Sequence, residues 1–461
     1  MKSKHLKPIL AALLLLCCST IYAFDFESEG VFYNIHSHEK KSAKVTHASN
    51  SAEHYCGQVV IPATVTHQGI TYNVTGIEPE TFWGCTELTA ITLPGSVEII
   101  DSYTFYNCTA LAEIVVSKGT TAIGTAAFSE CTKLTSITLP ESIKTIAADA
   151  FSGCTSLTSI TLPNELENID AFTFKGCTEL ATITLPKNLN NIGDAAFFGC
   201  TKLKSITLPK ELATIGSSAF EGCTALTKIT IPANTTTIEK HAFNGCSALT
   251  EIVVESGNPV YDSRNHSDAI IEKATDRLVQ GCKETAIPQS VTIIGEWAFY
   301  GCEGLKIITI PTDCITEIEE WAFLNCTGLK DIKLPGDITK IGDGAFYGCT
   351  GLTEISSRAT NPPTIGTYTF DGLYSRAILY VPVQTREYYR TAPYWKNFTN
   401  IEERTILGDV NKDDTVDIAD ITTLVAMILD PSMLTPDGDV DCDGMVDIAD
   451  ITMLVSIILG N

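Results

Sequence analysis

The chain has 461 residues, a formal net charge of −24 at pH 7 and a hydrophobic fraction of 44%. Its acidity and its lack of a basic stripe exclude nucleic acid as a partner, because binding to phosphates needs clustered Lys and Arg. A chain of this length would ordinarily form about two to four domains, but internal repeats replace that expectation.

Residues 1–23 have the pattern of a secretory signal peptide, in which lysines precede an apolar run and the segment ends at Ala23. The run is shorter than a membrane-spanning helix requires. We therefore expect cleavage after Ala23 and an exported chain without a transmembrane segment, either secreted or held at the bacterial cell surface. Lipid attachment at Cys17 or Cys18 is the alternative.

Residues 24–75 alternate apolar and polar side chains in the segments GVFYNI and GQVVIPATVTHQGITYNVTGI. Such alternation predicts short strands with one buried face. We expect a small antiparallel β cap that covers the first strand edge of the repeats.

Residues 76–357 repeat a unit of 23 residues, as in LTSITLPESIKTIAADAFSGC. A period of this size predicts a β-rich solenoid of the leucine-rich-repeat type with one short strand per rung. In the following copy, strand alternation points Ile160 and Leu162 inward and Ser159 and Thr161 outward.

Each unit also places particular residue types at fixed positions. One phenylalanine per unit is expected to form an aromatic spine: Phe82, Phe105, Phe128, Phe151, Phe174, Phe197, Phe220, Phe243, Phe299, Phe323 and Phe346. The residue before the repeat cysteine is usually Gly or Asn, which tolerate a left-handed backbone. Glu130 takes that place in one unit, which predicts either strain or a different turn.

The repeat cysteines recur every 23 residues at Cys85, Cys108, Cys131, Cys154, Cys177, Cys200, Cys223 and Cys246, and the series resumes after an interruption at Cys302, Cys326 and Cys349. Stacked rungs hold equivalent side chains about 4.8 Å apart and pointing the same way, whereas a disulfide needs Cβ atoms about 3.8 Å apart with crossed directions. We expect a column of small buried apolar groups and no disulfide framework.

The array departs from its period in two places. Residues 253–288 replace a regular unit with an apparent hairpin, and Cys282 falls out of frame. Residues 358–404 predict a closing cap with a strand, a short helix and an aromatic plug that consists of Tyr388, Tyr389, Tyr394, Trp395 and Phe398.

Outward hydroxyls form two columns on the strands. One contains Thr92, Thr138, Thr161, Thr184, Thr207, Thr230 and Thr309, and the other contains Ser136, Ser159, Thr182 and Ser205. Because threonine suits exposed strand positions, the columns reflect either strand propensity or a face that binds a macromolecule.

The repeated units resemble the BspA-type, or treponemal-type, leucine-rich repeats of bacterial surface proteins. The resemblance covers residues of about 76–357 and recurs in unit after unit. It implies a binding or adhesion protein that attaches to host proteins or to other cells.

Two acidic loops follow in the tail, DVNKDDTVDIAD at 409–420 and DVDCDGMVDIAD at 439–450, and an apolar helix is expected after each. Oxygen-bearing side chains at loop positions 1, 3, 5, 9 and 12 surround one point, as Ca²⁺ requires. The first ion is assigned to Asp409, Asn411, Asp413, Asp417, Asp420 and the Thr415 carbonyl. The second ion is assigned to Asp439, Asp441, Asp443, Asp447, Asp450 and the Met445 carbonyl.

The tail, residues 405–461, resembles a type I dockerin, a small all-α module with paired calcium loops. The resemblance implies docking onto a cohesin-like partner through loop positions 10 and 11 and the following helix. The corresponding residues here are Ile418, Ala419, Val425, Ile448, Ala449 and Val455. The two halves are nearly identical, which indicates that either helix can face the partner; folding back onto the solenoid is the alternative.

No GxSxG or HExxH motif is found, and the histidines of the cap show no fixed ligand spacing. We therefore expect a non-enzymatic protein whose solenoid binds a host or bacterial macromolecule and whose tail docks a cohesin-like partner. The alternative is an accessory component of a polysaccharide-degrading complex that holds glycan on the hydroxyl columns.

Overall fold

The structure is a computed structural model that describes residues 24–47, 55–312, 314–404, 408–411, 416–441 and 445–459. The predicted signal peptide lies outside these residues. The chain forms two compact units, Met1–Asp262 and Ser263–Asn461. Within the described residues, every helix is too short or too polar to cross a bilayer.

The first unit opens with strands β1 (Phe26–Ser28), β2 (Val31–Ser37), β3 (Ser42–Thr46), β4 (Gly57–Val60), β5 (Thr64–His67) and β6 (Ile70–Ile77). Five of them form one sheet in the order β1-β2-β3-β6-β5. The pairs β1–β2, β2–β3 and β5–β6 are antiparallel, as the sequence predicts.

The predicted antiparallel cap is wrong in two details. Strands β3 and β6 run parallel. Strand β4 leaves the cap and pairs in parallel with β7 (Leu88–Thr92), the first strand of the repeats. An unpaired strand edge invites association with other chains, and β4 removes that edge from the first rung.

Most rungs of the first unit carry two short strands, not the single strand that the sequence predicts. The remaining strands of this unit are β8 (Ile99–Ile100), β9 (Glu113–Val115), β10 (Ala122–Ile123), β11 (Thr145–Ile146), β12 (Ser159–Thr161), β13 (Asn168–Ile169), β14 (Thr182–Thr184), β15 (Asn191–Ile192), β16 (Thr214–Ile215), β17 (Lys228–Ile231), β18 (Thr237–Ile238), β19 (Glu251–Val254) and β20 (Tyr261–Asp262). The second strand of each rung has only two residues, which explains why its alternation is hard to detect.

Equivalent residues of successive rungs pair in parallel and in register. Ser159 pairs with Thr182 in the first strand, and Ile169 pairs with Ile192 in the second. Both pairs are separated by one sequence period, so the period is one turn of the solenoid. The predicted leucine-rich-repeat solenoid is confirmed.

The phenylalanine spine is confirmed within each unit. From Phe82 to Phe243, neighbouring ring centroids lie 5.0 to 5.5 Å apart and the ring planes differ by 2° to 14°. In the second unit, Phe299, Phe323 and Phe346 stack in the same way. Phe370, which the sequence did not assign to the spine, continues the stack 5.3 Å from Phe346. Each ring is therefore covered by its neighbours and excludes water from the core.

Every regular rung contains two left-handed residues, although the sequence predicts only one. The Gly and Asn before the repeat cysteine have positive φ as expected, and Glu130 adopts the same turn with φ 61°, so this rung is strained. The second series lies two residues before the spine phenylalanine: Glu80, Tyr103, Ala126, Asp149, Phe172, Ala195, Ser218, His241, Trp297, Trp321 and Gly344.

The repeat cysteines are free and buried, as the sequence predicts, and no disulfide occurs among the described residues. They are more than small apolar groups. Each thiol from Cys108 to Cys246 donates a hydrogen bond of 3.0 to 3.3 Å to the carbonyl oxygen of the spine phenylalanine in the preceding rung. Each of these carbonyl oxygens already accepts the backbone N–H of the cysteine in its own rung, so the thiol adds a second hydrogen bond that links successive rungs.

We expect the rung thiols to resist alkylation in the native protein. Burial raises the pKa of Cys154 and of Cys200 to about 12, so almost no thiolate forms at pH 8. Cys56 is exposed and provides the matched control. Iodoacetamide followed by peptide mapping should label Cys56 in the native protein and the rung cysteines only after unfolding. Equal native labelling of Cys154 and Cys56 would contradict this.

The second unit contains β21 (Ile270–Glu272), β22 (Arg277–Gln280), β23 (Ile293–Ile294), β24 (Glu317–Ile318), β25 (Asp331–Leu334), β26 (Lys340–Ile341), β27 (Glu354–Ser357), β28 (Thr364–Ile365), β29 (Ile378–Val381) and β30 (Ile401–Glu403). Strands β21 and β22 form the hairpin predicted within residues 253–288. The sheets run β21-β22-β23-β24-β26-β28 and β25-β27-β29-β30.

The closing cap contains the predicted strand and a short helix, α1 (Arg386–Thr391), but the aromatic plug is smaller than predicted. Tyr389, Trp395 and Phe398 are buried, whereas Tyr388 and Tyr394 are exposed. Consecutive helix residues point about 100° apart, so Tyr388 turns outward when Tyr389 turns inward. Tyr394 adopts φ 62° just before the short 3₁₀ turn Trp395–Asn397, which directs its side chain away from the core.

The tail contains two helices of equal length, α2 (Ile418–Leu429) and α3 (Ile448–Leu459). Short 3₁₀ turns at Pro431–Met433 and Pro436–Gly438 lie between them. A small core of Val410, Leu424, Met427, Val440 and Leu454 joins the helices to the segments before them. The two predicted loop–helix segments therefore share one apolar core.

Candidate metal centre and binding faces

Three carboxylates of the second loop converge. Oxygen atoms of Asp439, Asp441 and Asp450 all lie within 4.8 Å of one another, and this is the one group of three or more potential metal-ligating side chains of its kind among the described residues. Oxygen atoms this close repel one another when ionised unless a cation lies between them. The arrangement suits a hard cation such as Ca²⁺.

Asp450 is held in place by the backbone of its own loop. Its side chain is 1% exposed. One carboxylate oxygen accepts hydrogen bonds from the backbone N–H groups of Val440 and Asp441, at 2.6 and 3.1 Å, and the other accepts from Asp447 at 2.7 Å. The loop and the start of α3 are therefore fixed by one carboxylate.

The first loop repeats this arrangement around Asp420, which is fully buried. Asp420 accepts hydrogen bonds from the backbone N–H of Asn411 at 3.0 Å and of Asp417 at 2.9 Å. Asp417 in turn caps α2 by accepting from Ala419 N at 2.7 Å. Asp409 is buried as well. Asp409, Asn411, Asp417 and Asp420 lie in the described part of the first loop and remain its predicted ligands.

The structure describes only some of the remaining predicted ligands. Asp413, Thr415 and Asp443 lie outside the described residues. In the second loop, Asp447 caps α3 by accepting from Ala449 N at 2.7 Å, as Asp417 does in the first. The Met445 side chain is exposed, and only its carbonyl group is a predicted ligand.

The tail has little basic charge of its own to offset these carboxylates. From Asp409 onward the sequence contains twelve Asp, no Glu and one Lys. Burying an ionised carboxylate without a compensating charge is costly. A bound cation at each loop would remove that cost.

The predicted docking residues are mostly exposed. Ile418 and Ile448, at the starts of α2 and α3, are 76% and 75% exposed. Ala419 and Ala449 are exposed as well. The two predicted docking valines further along the helices differ in burial. Val455 is exposed, whereas Val425 is half-buried. Each helix therefore begins with an isoleucine whose side chain is not buried in the core of the tail.

The predicted hydroxyl columns point outward. Thr138, Thr161, Thr184 and Thr207 are exposed, and their hydroxyl groups have no hydrogen-bond partner among the described residues. A second threonine series, directly after the repeat cysteines, behaves differently, since the Thr178 hydroxyl donates to the Thr155 carbonyl at 3.3 Å. One series links the rungs, and the other is left for solvent or a ligand.

Sequence reasoning missed a partly exposed aromatic surface in the second unit. We call it the aromatic edge, and it consists of Trp297, Tyr300, Trp321, Tyr347 and Tyr368. These residues occupy the positions two before and one after the spine phenylalanine. The signal was the recurrence of Trp and Tyr at these positions in the second unit, where the first unit mixes aromatic residues with Ala, Ser, Asp, Glu, His, Lys and Asn.

The structure also contains a cavity of about 640 Å³ in the first unit, next to β2 and β4. Its lining includes Phe32, Tyr55, Cys56 and Glu87 but no histidine among the described residues.

A family model described as a BspA type leucine rich repeat region matches residues 63–181, 144–268 and 278–391, which is more than half of the chain. No curated protein is significantly similar in sequence. The comparisons indicate no catalytic family.

Among solved structures, the chain is similar to a leucine rich cell surface protein from Faecalibacterium prausnitzii A2-165. The two share 26% identity with a TM-score of 0.56, over 84% of this chain and 96% of that chain. It is also similar to a leucine-rich repeat protein from Bacteroides ovatus, at 27% identity and a TM-score of 0.45, over 72% of this chain and 94% of that chain.

Proposed function

This chain belongs to the BspA-type leucine-rich repeat family, and from that premise we propose that it is a non-enzymatic binding protein of the bacterial exterior. Its solenoid contacts a host or bacterial macromolecule, and its tail binds two Ca²⁺ ions and docks onto a cohesin-like partner. The similar protein from Faecalibacterium prausnitzii is described as a cell surface protein, which supports the location.

The convergence of Asp439, Asp441 and Asp450 carries the calcium part of the proposal. The carboxylate of Asp450 accepts three backbone N–H groups, which fix its position beside Asp439 and Asp441. Calcium is favoured over a transition metal because every predicted ligand atom is an oxygen. The other loop is expected to bind a second ion through the equivalent residues.

Docking is proposed for the exposed starts of α2 and α3. Ile418 and Ile448 place large apolar side chains in solvent at equivalent positions of two near-identical halves. An exposed isoleucine that gains nothing from its own core is best explained by burial against a partner. Because the halves are alike, one partner surface can fit either helix.

The full chain, immobilised and incubated with a surface fraction of the native organism, should capture a cohesin-like protein in calcium. Capture should survive Ile418→Asp or Ile448→Asp alone and fall by more than about tenfold in the double variant, since either helix can serve. Thr452→Ala, an exposed position of α3, is the control. Equal capture in calcium and in chelator, or by the Asp409→Ala, Asp439→Ala variant, would contradict the proposal.

A second candidate is an accessory glycan-binding role, which the unpartnered hydroxyls of Thr138, Thr161, Thr184 and Thr207 favour. Hydroxyl groups one rung apart on a flat sheet can exchange hydrogen bonds with the hydroxyls of a polysaccharide. A glycan array separates the two candidates. Selective binding of plant polysaccharides in calcium and in chelator alike, lost in Thr161→Val, Thr184→Val, supports the accessory role.

A further inference from the structure

The aromatic edge forms a continuous row of rings across successive rungs of the second unit. The ring centroids of Trp297 and Trp321 lie 5.8 Å apart, and Trp321 and Tyr368 lie 6.5 Å apart. Tyr347 meets the row edge-on, 6.2 Å from Trp321. Tyr347 and Tyr368 are exposed, and the two tryptophans are half-buried. Monomeric proteins seldom leave such aromatic surface open without a binding role.

Folding does not require aromatic residues at these positions. Trp297 and Trp321 adopt left-handed φ values of 62° and 58°, which are uncommon for bulky side chains. Gly344 fills the equivalent position of the next rung at φ 61°. A Cβ atom on Gly344 would lie 2.0 Å from the Trp321 ring, so this glycine also makes room for the indole. Because glycine is accepted at this rung position, the fold alone does not account for the two tryptophans.

Carboxylates accompany the rings. Glu296, Glu320 and Asp343 each directly precede the left-handed residue of their rung. Nearby carboxylates raise the pKa of Lys340. The largest cause is the hydrogen bond that Lys340 donates to Glu317, and the negative charges of Glu317, Glu320 and Glu319 add to it. Arg277 pairs with Glu319, which leaves Glu320 as an exposed carboxylate beside Trp321. The edge is therefore aromatic and acidic together.

The first unit shows which chemistry these rung positions accept. Phe172 and Phe198 occupy the same two positions relative to the spine, and Lys175 lies between them. The Lys175 ammonium is 5.3 Å from the centroid of Phe172 and 5.9 Å from that of Phe198. A cation thus sits over two rings of this surface within the cation–π range.

We propose that the aromatic edge binds a basic polypeptide segment, with Arg or Lys side chains stacked on Trp321, Tyr347 and Tyr368 and paired with Glu320 and Asp343. Among the described residues, no Lys or Arg side chain lies over these three rings. Trp is the strongest cation–π acceptor, and the acidic protein attracts such a segment over a long range. The inference goes beyond the proposed function, because neither the hydroxyl columns nor the tail contributes a residue to this site.

The test measures binding of a short peptide of alternating Arg and Gly to the full chain, with calcium present to occupy the tail and at physiological ionic strength. Trp321→Gly, Tyr368→Ala should weaken binding by about tenfold or more, and Glu320→Gln by about threefold. Phe172→Gly changes the same rung position in the first unit and should leave affinity within about twofold. The same peptide with Gln in place of Arg should not bind.

Circular dichroism and melting curves establish that the variants remain folded. Equal peptide affinity of the wild type and the Trp321→Gly, Tyr368→Ala variant would overturn the proposal, since attraction would then come from net charge alone. Displacement of the peptide by neutral oligosaccharides, lost in the same variant, would also overturn it and assign the edge to glycans. Because these measurements use no native partner, failure here leaves the proposed docking and adhesion role in place.

Discussion

Replacing Phe174 with Ala is expected to lower the free energy of unfolding of the solenoid by about 3–5 kcal/mol. The Phe174 ring is fully buried and stacks against Phe151 and Phe197, with centroids 5.5 Å away on both sides. Truncation opens a cavity that the rigid rungs above and below cannot close. In a repeat array each rung contacts only its neighbours. The substituted rung therefore also weakens the folding cooperativity between the rungs before it and the rungs after it.

Phe172 provides a matched control two residues away. It is 37% exposed, and the Lys175 ammonium lies over its ring, 5.3 Å from the centroid. Phe172→Ala should change the free energy of unfolding by less than about 1 kcal/mol. Urea denaturation followed by circular dichroism compares the two variants. An equal loss in both, or no loss in Phe174→Ala, would mean that the spine is not the main core.

Replacing Asp450 with Ala is expected to remove calcium from the second loop and to unfold the tail helices at a temperature where the wild type is folded. Three backbone N–H groups, from Val440, Asp441 and Asp447, lose their acceptor, at about 1–3 kcal/mol for each group left buried and unsatisfied. The proposed ligand set loses a carboxylate at the same time. Together these effects should lower calcium affinity by more than about 100-fold.

Asp437→Asn is the control, because Asp437 lies before the loop and outside the group of converging carboxylates. Helical circular dichroism and calcium titration of the full-length variants give the two readouts. The solenoid should melt as in the wild type, since its core residues are separate from those of the tail. Unchanged calcium affinity in Asp450→Ala would contradict the role given to this carboxylate.

Much of the solenoid follows directly from its sequence. The 23-residue period sets the register, so Ser159 pairs with Thr182 one period later. Alternation sorts Ile160 inward and Thr161 outward, and a recurring Phe builds the spine. These features can be predicted because the same residue types recur at the same positions of successive repeat units.

Features without a residue signature were missed. The second left-handed series includes Ala126, Phe172 and Trp321, which share no side-chain property that marks a positive φ. The thiol hydrogen bonds were missed because cysteine was treated only as an apolar group, although Cys131 donates to the Phe105 carbonyl. Strand β4 was assigned to the cap because an alternating pattern does not reveal which sheet a strand joins.

In the tail, residue spacing predicts which carboxylates converge but not which partner binds. Loop positions 1, 3 and 12 of the second loop do converge at Asp439, Asp441 and Asp450. The partner is harder to infer, since Ile418 and Ile448 reveal an exposed apolar surface and not its occupant. Affinity for a partner depends on a complementary surface that this chain does not contain.

Calorimetric titration of the full chain with calcium chloride tests the central claim most directly. The account predicts two ions per chain, one ion in the Asp439→Ala, Asp450→Ala variant, and a gain in tail helix as calcium binds. A wild-type chain that binds no calcium at millimolar concentration, or that binds two ions equally well in that variant, would contradict it.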